Sequence, residues 1–240
     1  MKLFAGIAIS FTILIGSETD TRPDPFFTPG NRIIYESQTV MKRGNGYTVR
    51  QIFEVEKVRV HGSSASSECL MGYYATTELN GFRPYYRLYY DVDTVNFYSH
   101  AKNWCYIPED YKDYGSFDVK GDSLIYPLNM KAGDTLPGAR ASISYSIHQA
   151  KVSYSIKFIN RKVLQVDTVS TAFGKVVAYK ISMNSLYDVK SYEAGNGQGS
   201  RNFENQLITE WFAPQYGIIK MQYDLPDGAF MAEMISYKRD

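Results

Sequence analysis

Apolar side chains recur at every second position over most of this chain. In the central run 142 to 170, Ile143, Tyr145 and Ile147 take odd positions, and Val152, Tyr154, Ile156 and Phe158 take even ones. A period of two marks a strand with one buried face, and a slip of one residue moves every side chain to the other face. The phase change near His148-Gln149 therefore predicts either two strands joined by a tight turn or one strand with a bulge. Farther on, Val177, Tyr179, Ile181 and Met183 alternate with Ala178, Lys180, Ser182 and Asn184. The same rhythm runs through RIIYESQTVMK and YTVRQIFEVEKVRV, which Asn45-Gly46 divides, a dipeptide suited to the positive φ values of a hairpin turn. Asn80-Gly81, Lys120-Gly121-Asp122 and Asp227-Gly228 punctuate later runs in the same way.

About eleven to thirteen strands are predicted, and no window shows a helical stripe. No repeat of propeller or solenoid length is present. The expected fold class is all-β: a single large antiparallel meander forming a barrel-like or strongly curved open sheet, with few or no helices. One domain is expected over residues 32–240.

The first residues, MKLFAGIAISFTILIGS, place one Lys before an apolar stretch from Leu3 to Ile15. That stretch is too short to span a bilayer and suits the apolar region of a secretory signal, so residues 1–17 are read as a signal peptide. Leu14-Ile15-Gly16 opens like a lipoprotein signal, but Ser17 stands where the lipid-bearing Cys would be. The expectation is an exported protein of the periplasm or cell envelope, with no transmembrane span once the signal is removed. Residues 18–31, ETDTRPDPFFTPGN, hold three prolines and are read as an exposed arm.

The formal charge is +1, and Lys2 is the only charged residue before Glu18, so the chain beyond residue 17 is balanced. A neutral surface without a basic run argues against nucleic acid. Cys69 and Cys105 are the two cysteines. An oxidising compartment permits a disulfide between them, and two separate buried thiols fit the sequence equally well.

Three segments together resemble a known family. They are Lys131 to Thr135 (KAGDT), Arg161 to Met183 (RKVLQVDTVSTAFGKVVAYKISM) and Glu210 to Lys220 (EWFAPQYGIIK). They resemble the TapB-like domain-of-unknown-function family of exported Gram-negative cell-envelope proteins. The resemblance covers the C-terminal half well and implies an exported all-β domain. It implies no catalytic residues, since that family's own activity is unknown.

Candidate chemistry is sparse. No G-x-S-x-G is present, and His61, His100 and His148 are the only histidines. Asp91-Val-Asp93 lacks the remaining ligands of a calcium loop, and the G-x-G-x-G after Glu193 leads into a strand rather than a helix, so no metal and no cofactor are expected. The more informative feature is aromatic, with 21 tyrosines in the chain. RPYYRLYYD sets Tyr86 and Tyr90 with Leu88 on one face and Tyr85 and Tyr89 with Arg87 on the other, near Trp104. One face is expected to be core; the other is either a platform for a sugar, a lipid or a partner, or a site of cross-strand aromatic pairing on a wide sheet. Trp211 is read as a core plug or the floor of a binding cavity. The ligand-binding candidates are thus Tyr85, Tyr86, Tyr89, Tyr90, Trp104 and Trp211. The functional reading is a non-enzymatic envelope protein that binds an apolar or amphipathic ligand, lipid or glycan. The alternatives are an assembly module that contacts envelope proteins through sheet edges and loops, and a hydrolase with carboxylate chemistry.

Overall fold

The computed structural model describes residues 24–42, 46–74, 84–104, 115–147, 150–193, 197–225 and 228–239. Thirteen strands form one sheet: β1 (Asn31–Met41), β2 (Tyr47–His61), β3 (Ser64–Tyr74), β4 (Pro84–Val92), β5 (Asn96–Ser99), β6 (Gly115–Gly121), β7 (Leu124–Pro127), β8 (Ala139–Ile147), β9 (Ala150–Thr171), β10 (Gly174–Glu193), β11 (Gly197–Ala213), β12 (Gly217–Leu225) and β13 (Gly228–Arg239). A single helical turn, α1 (Asp24–Phe27), precedes them, and a 3-10 turn covers Ala101–Trp104.

The strand order is β6-β8-β9-β10-β11-β12-β13-β1-β2-β3-β4-β5-β7. Two meanders, β1 to β5 and β8 to β13, are joined through the β13–β1 pairing, and every neighbouring pair is antiparallel. The ladder stays open, with β6 and β7 as its edges. Because the number of strands is odd, those two edges run in the same sense. Yet only Asp122 and Ser123 separate them in the chain, and such a link spans at most about 11 Å. The sheet must therefore curl until its edges nearly meet. Segment 115–127 acts as one seam strand whose first half pairs with β8 and whose second half pairs with β5. Gly121 makes the pivot, at φ 153°. A side chain there would collide with the Arg140 carbonyl oxygen, which instead accepts a hydrogen bond from the Asp122 amide at 2.9 Å.

The predicted phase change is resolved as two strands, since β8 and β9 pair up to Ile147↔Ala150; His148-Gln149 itself lies outside the described residues. Lys120-Gly121-Asp122 separates two strands, as its composition suggested, and carries the chain from one edge of the sheet to the other.

The arm expected at residues 18–31 is described from Asp24 onward, and there only Pro29 and Gly30 are exposed, while Pro25 and Phe26 are buried. Phe26 is 2 % exposed and packs on Tyr90 (ring centroids 4.7 Å) and Phe97 (6.0 Å), with Phe27 edge-on to Phe97. The prolines suggested solvent, but the two phenylalanines between them dominate the energetics, because buried aromatic area outweighs a few residues of chain ordering. Gly217, at φ 75°, makes room for this: a Cβ there would lie 2.7 Å from Phe26 Cε2. Helix α1 thus plugs the end of the curved sheet where β11 turns into β12. Among the described residues, no helix is long and apolar enough to cross a membrane.

Candidate functional site

The concave face of the sheet encloses a cavity of about 530 Å³. That lies within the range of small-molecule sites. The strands place its lining by alternation. Leu88 and Tyr90 of β4 point inward and are buried, while Arg87 and Tyr89 point outward. Ile156 and Phe158 of β9, Met71 of β3 and Phe53 of β2 add apolar wall. Trp104 closes one side, its ring 4.8 Å from that of Phe158 in an edge contact.

The two ends of the cavity differ. At one end Tyr47, the first residue of β2, lines the space while remaining 62 % exposed, which marks the mouth. Thr39, Tyr223 and Phe230 lie around it. At the other end Tyr126 faces the cavity, and Phe212 and Phe97 pack beneath it to make an aromatic floor. Tyr126 and Phe212 stack at 5.0 Å, and Phe97 lies within 6.0 Å of both. Phe26 backs this floor from outside.

A buried polar cluster is set into the floor. Tyr126 Oη donates to Glu210 Oε2 at 2.7 Å. The Arg161 guanidinium lies over the Tyr126 ring, 4.9 Å from its centroid, and its Nη1 donates to the carbonyls of Pro137 (2.8 Å) and Ile125 (3.1 Å). Arg161 is 1 % exposed and Glu210 6 %. Among the described residues, Arg161 Nε and Nη2 have no hydrogen-bond partner. Burial pushes the Glu210 carboxyl above its usual range, against the opposing effects of the Tyr126 hydrogen bond and the Arg161 charge. Burial likewise raises the Tyr126 phenol, and the Glu210 charge adds to it.

The chain reaches this arrangement through an irregularity in β9. The register against β10 shifts around Ile181 and Asn184, and Asn160 adopts φ 55°. This turns Arg161 inward. The preceding loop then docks on the irregular stretch: the Gly133 amide donates to the Val163 carbonyl, the Leu136 amide to the Arg161 carbonyl, and the Val163 amide to the Asp134 carbonyl, at 2.8 to 2.9 Å. The Asp134 carboxylate accepts the Lys131 amide at 2.7 Å and holds that loop in shape. The segments 131–135, 161–183 and 210–220, which carried the family resemblance, therefore converge on the floor of the cavity.

The sequence candidates divide. Tyr90 and Trp104 line the cavity, and Tyr86 is partly buried against the core. Tyr89 lies on the outer face with Lys102 Nζ 4.9 Å from its ring centroid. The described part of that face is not a bare aromatic platform, because Arg87 is held by Glu56 and Glu68. The Tyr85 side chain and Cys105 lie outside the described residues. Cys69 is fully buried, and burial pushes its thiol up to about 12, which makes it a poor nucleophile.

Trp211 is neither plug nor floor. Glu210 and Phe212 on either side of it are buried on the concave face. Trp211 is half-buried on the opposite one, with Lys180 and Lys220 each 5.4 Å from its ring centroid on the flanking strands. Trp211→Ala is thus expected to cost about 1–2 kcal/mol, the scale of two exposed cation–π contacts and cross-strand packing. Chemical denaturation checks it; a loss typical of a core tryptophan would contradict the placement.

The buried carboxyl gives a pH signature. Its folded-state value lies above the ordinary 4.5, so the folded protein holds this proton more firmly than the unfolded chain. The contribution is fully present below 4.5 and is lost as pH rises through the folded value. Relative to wild type, Glu210→Gln should therefore gain stability progressively as pH rises above 4.5, read as urea midpoints. Parallel pH profiles for the two proteins would contradict the assignment.

Fold and site together define an open, curled antiparallel sheet with a plugged end and an interior cavity. The chain matches the DUF3108-like family model over residues 105–233, which include all three converging segments, and it belongs to that family. The narrower TapB-like label rests on those segments alone. Two solved structures share the fold. One is a protein from Bacteroides fragilis inferred to be exported and described as having a YmcC-like fold, with TM-score 0.58 and 14 % identity, covering 89 % of this chain and 98 % of that one. The other, from Parabacteroides distasonis, is inferred to be a lipoprotein, with TM-score 0.59, 13 % identity and the same coverages. No curated protein matches the sequence.

Proposed function

We propose that this chain is an exported, non-enzymatic binding protein of the cell envelope that holds one apolar or amphipathic molecule inside the curled sheet. The observation that carries the reading is the cavity of about 530 Å³, walled mainly by aromatic and aliphatic side chains, with a few polar ones that include the Tyr126–Glu210 pair. Few, convergent polar groups in an apolar cavity are what orient a small ligand. Export draws on the signal pattern of residues 1–17, and on the descriptions of the two structural relatives as exported and as a lipoprotein. A single domain from residue 32 fits the one continuous sheet.

The two tryptophans make a direct test. Trp104 lines the cavity and Trp211 lies outside it, so in a Trp211→Phe background Trp104 is the sole tryptophan and reports occupancy. Titration with the neutral probe N-phenylnaphthylamine should change its emission saturably, one probe per chain. Met221→Trp in the same background fills the space from β12 and should abolish probe binding with the melting temperature kept or raised. Absence of saturable binding, or equal binding by the filled variant, would overturn the reading.

The assembly alternative draws on a different feature. Leu164, Val166 and Val177 are 45–60 % exposed together near the end of the long β9–β10 hairpin. Their loss should then affect association and leave probe binding unchanged.

A further inference from the structure

We infer that the cavity selects an amphiphile whose deeply buried end carries a neutral hydrogen-bond donor, a hydroxyl, and that Glu210 sets this choice against anionic ends. The inference rests on the binding reading above and specifies its ligand.

The floor is where the ligand end must be recognised. β11 runs from the mouth end to Ala213, and Glu210 sits three positions before that end, beside Phe212 in the aromatic floor. Its Oε2 is taken by Tyr126. Among the described residues its Oε1 has no hydrogen-bond partner, and the side chain lines the cavity. A purely apolar ligand end would leave this oxygen unpaired and dry, which is costly.

The other polar side chains on the lining, among them Ser37, Gln51, Ser99 and Asn103, carry no charge. Asn103 Nδ2 donates to the Tyr89 carbonyl and to Ser99 Oγ, and its Oδ1 accepts the Tyr89 amide, so its amide is engaged. Arg161 packs on the Tyr126 ring and does not line the cavity. A carboxylate or phosphate brought to the floor would therefore meet Glu210 oxygen before any cation, and like charges or two acceptors at that distance repel.

An ammonium would fare less well than a hydroxyl for a different reason. The Arg161 charge already compensates Glu210 across Tyr126. A second cation would leave net positive charge in a dry site. A hydroxyl donates to Oε1 and adds no charge. It also serves either protonation state of Glu210, since a protonated carboxyl keeps an acceptor oxygen.

Dodecanol, dodecanoate and dodecylamine share one chain and differ only at the end group. Each is used at neutral pH to displace N-phenylnaphthylamine from the Trp211→Phe protein. Dodecanol should displace at least about tenfold better than dodecanoate, the scale of one buried polar mismatch. Glu210→Gln keeps shape and removes the charge, so it should bring dodecanoate up to within a few-fold of dodecanol. Tyr126→Phe leaves Glu210 with two unpaired oxygens and should preserve or widen the preference, which separates the carboxyl's role from any loosening of the floor. Equal displacement by all three, or dodecanoate the strongest, would overturn the inference while the cavity reading stands. Dodecylamine the strongest would overturn it in favour of ion pairing. Failure of the probe itself to bind would take down both.

Discussion

Phe26→Ala should destabilise the protein by about 3–5 kcal/mol, as deletion of a buried aromatic does elsewhere. The residue lies in the segment before the first strand, where sequence composition suggested an exposed arm. Its ring nevertheless joins Tyr90 and Phe97 in one aromatic cluster and fills the space that Gly217 leaves open. The effect should extend beyond stability. With the plug gone, the floor of Tyr126, Phe97 and Phe212 loses its backing, so the cavity gains a second opening and probe dissociation should speed up. Urea denaturation and stopped-flow displacement read the two effects. A loss below about 1 kcal/mol, the scale of a surface change, would show that α1 is not a structural plug.

Arg161→Leu is expected to be as damaging, at about 3–5 kcal/mol, for an electrostatic reason. The variant strips two carbonyls, those of Ile125 and Pro137, of their donor, and it leaves Glu210 buried without its compensating cation. The first carbonyl belongs to edge strand β7 and the second to the segment leading into β8, so Arg161 ties the seam together at its floor end. Replacing both charges, as Arg161→Leu with Glu210→Leu, should recover part of the loss, because a buried pair exchanged together for apolar side chains is often near neutral. Additive losses in the double variant would mean that the two side chains do not act as a pair.

The strands were legible because one face of each is buried. Alternation put Leu88 and Tyr90 on one face and Arg87 and Tyr89 on the other without any knowledge of the neighbouring strands, and the structure shows the first to be the inner one. What alternation does not carry is strand order. That segment 115–127 divides between the two sheet edges follows from pairing partners far away in sequence, which no local period encodes. Trp211 was misjudged for a related reason. Its size suggested core, whereas its phase, one step from Ile208, Glu210 and Phe212, already put it on the opposite face. The same phase held the overlooked signal of the site: Glu210 is a charged residue in an apolar register. Arg161 is harder to see, because its inward turn depends on the irregular geometry at Asn160 that only the docked loop 131–136 explains. The KAGDT segment that carried part of the resemblance docks on Arg161 and Val163, and Glu210 of the EWF segment lines the cavity, a relation their distance in sequence hid.

Native mass spectrometry of the protein purified from its own envelope without detergent tests the binding cavity most directly. The expected spectrum shows a population of the folded chain carrying one additional small molecule, released on activation, extractable as an amphiphile, and missing from the Met221→Trp variant purified in parallel. Repeated recovery of the bare chain alone, or the same adduct on the filled variant, would contradict an interior binding site.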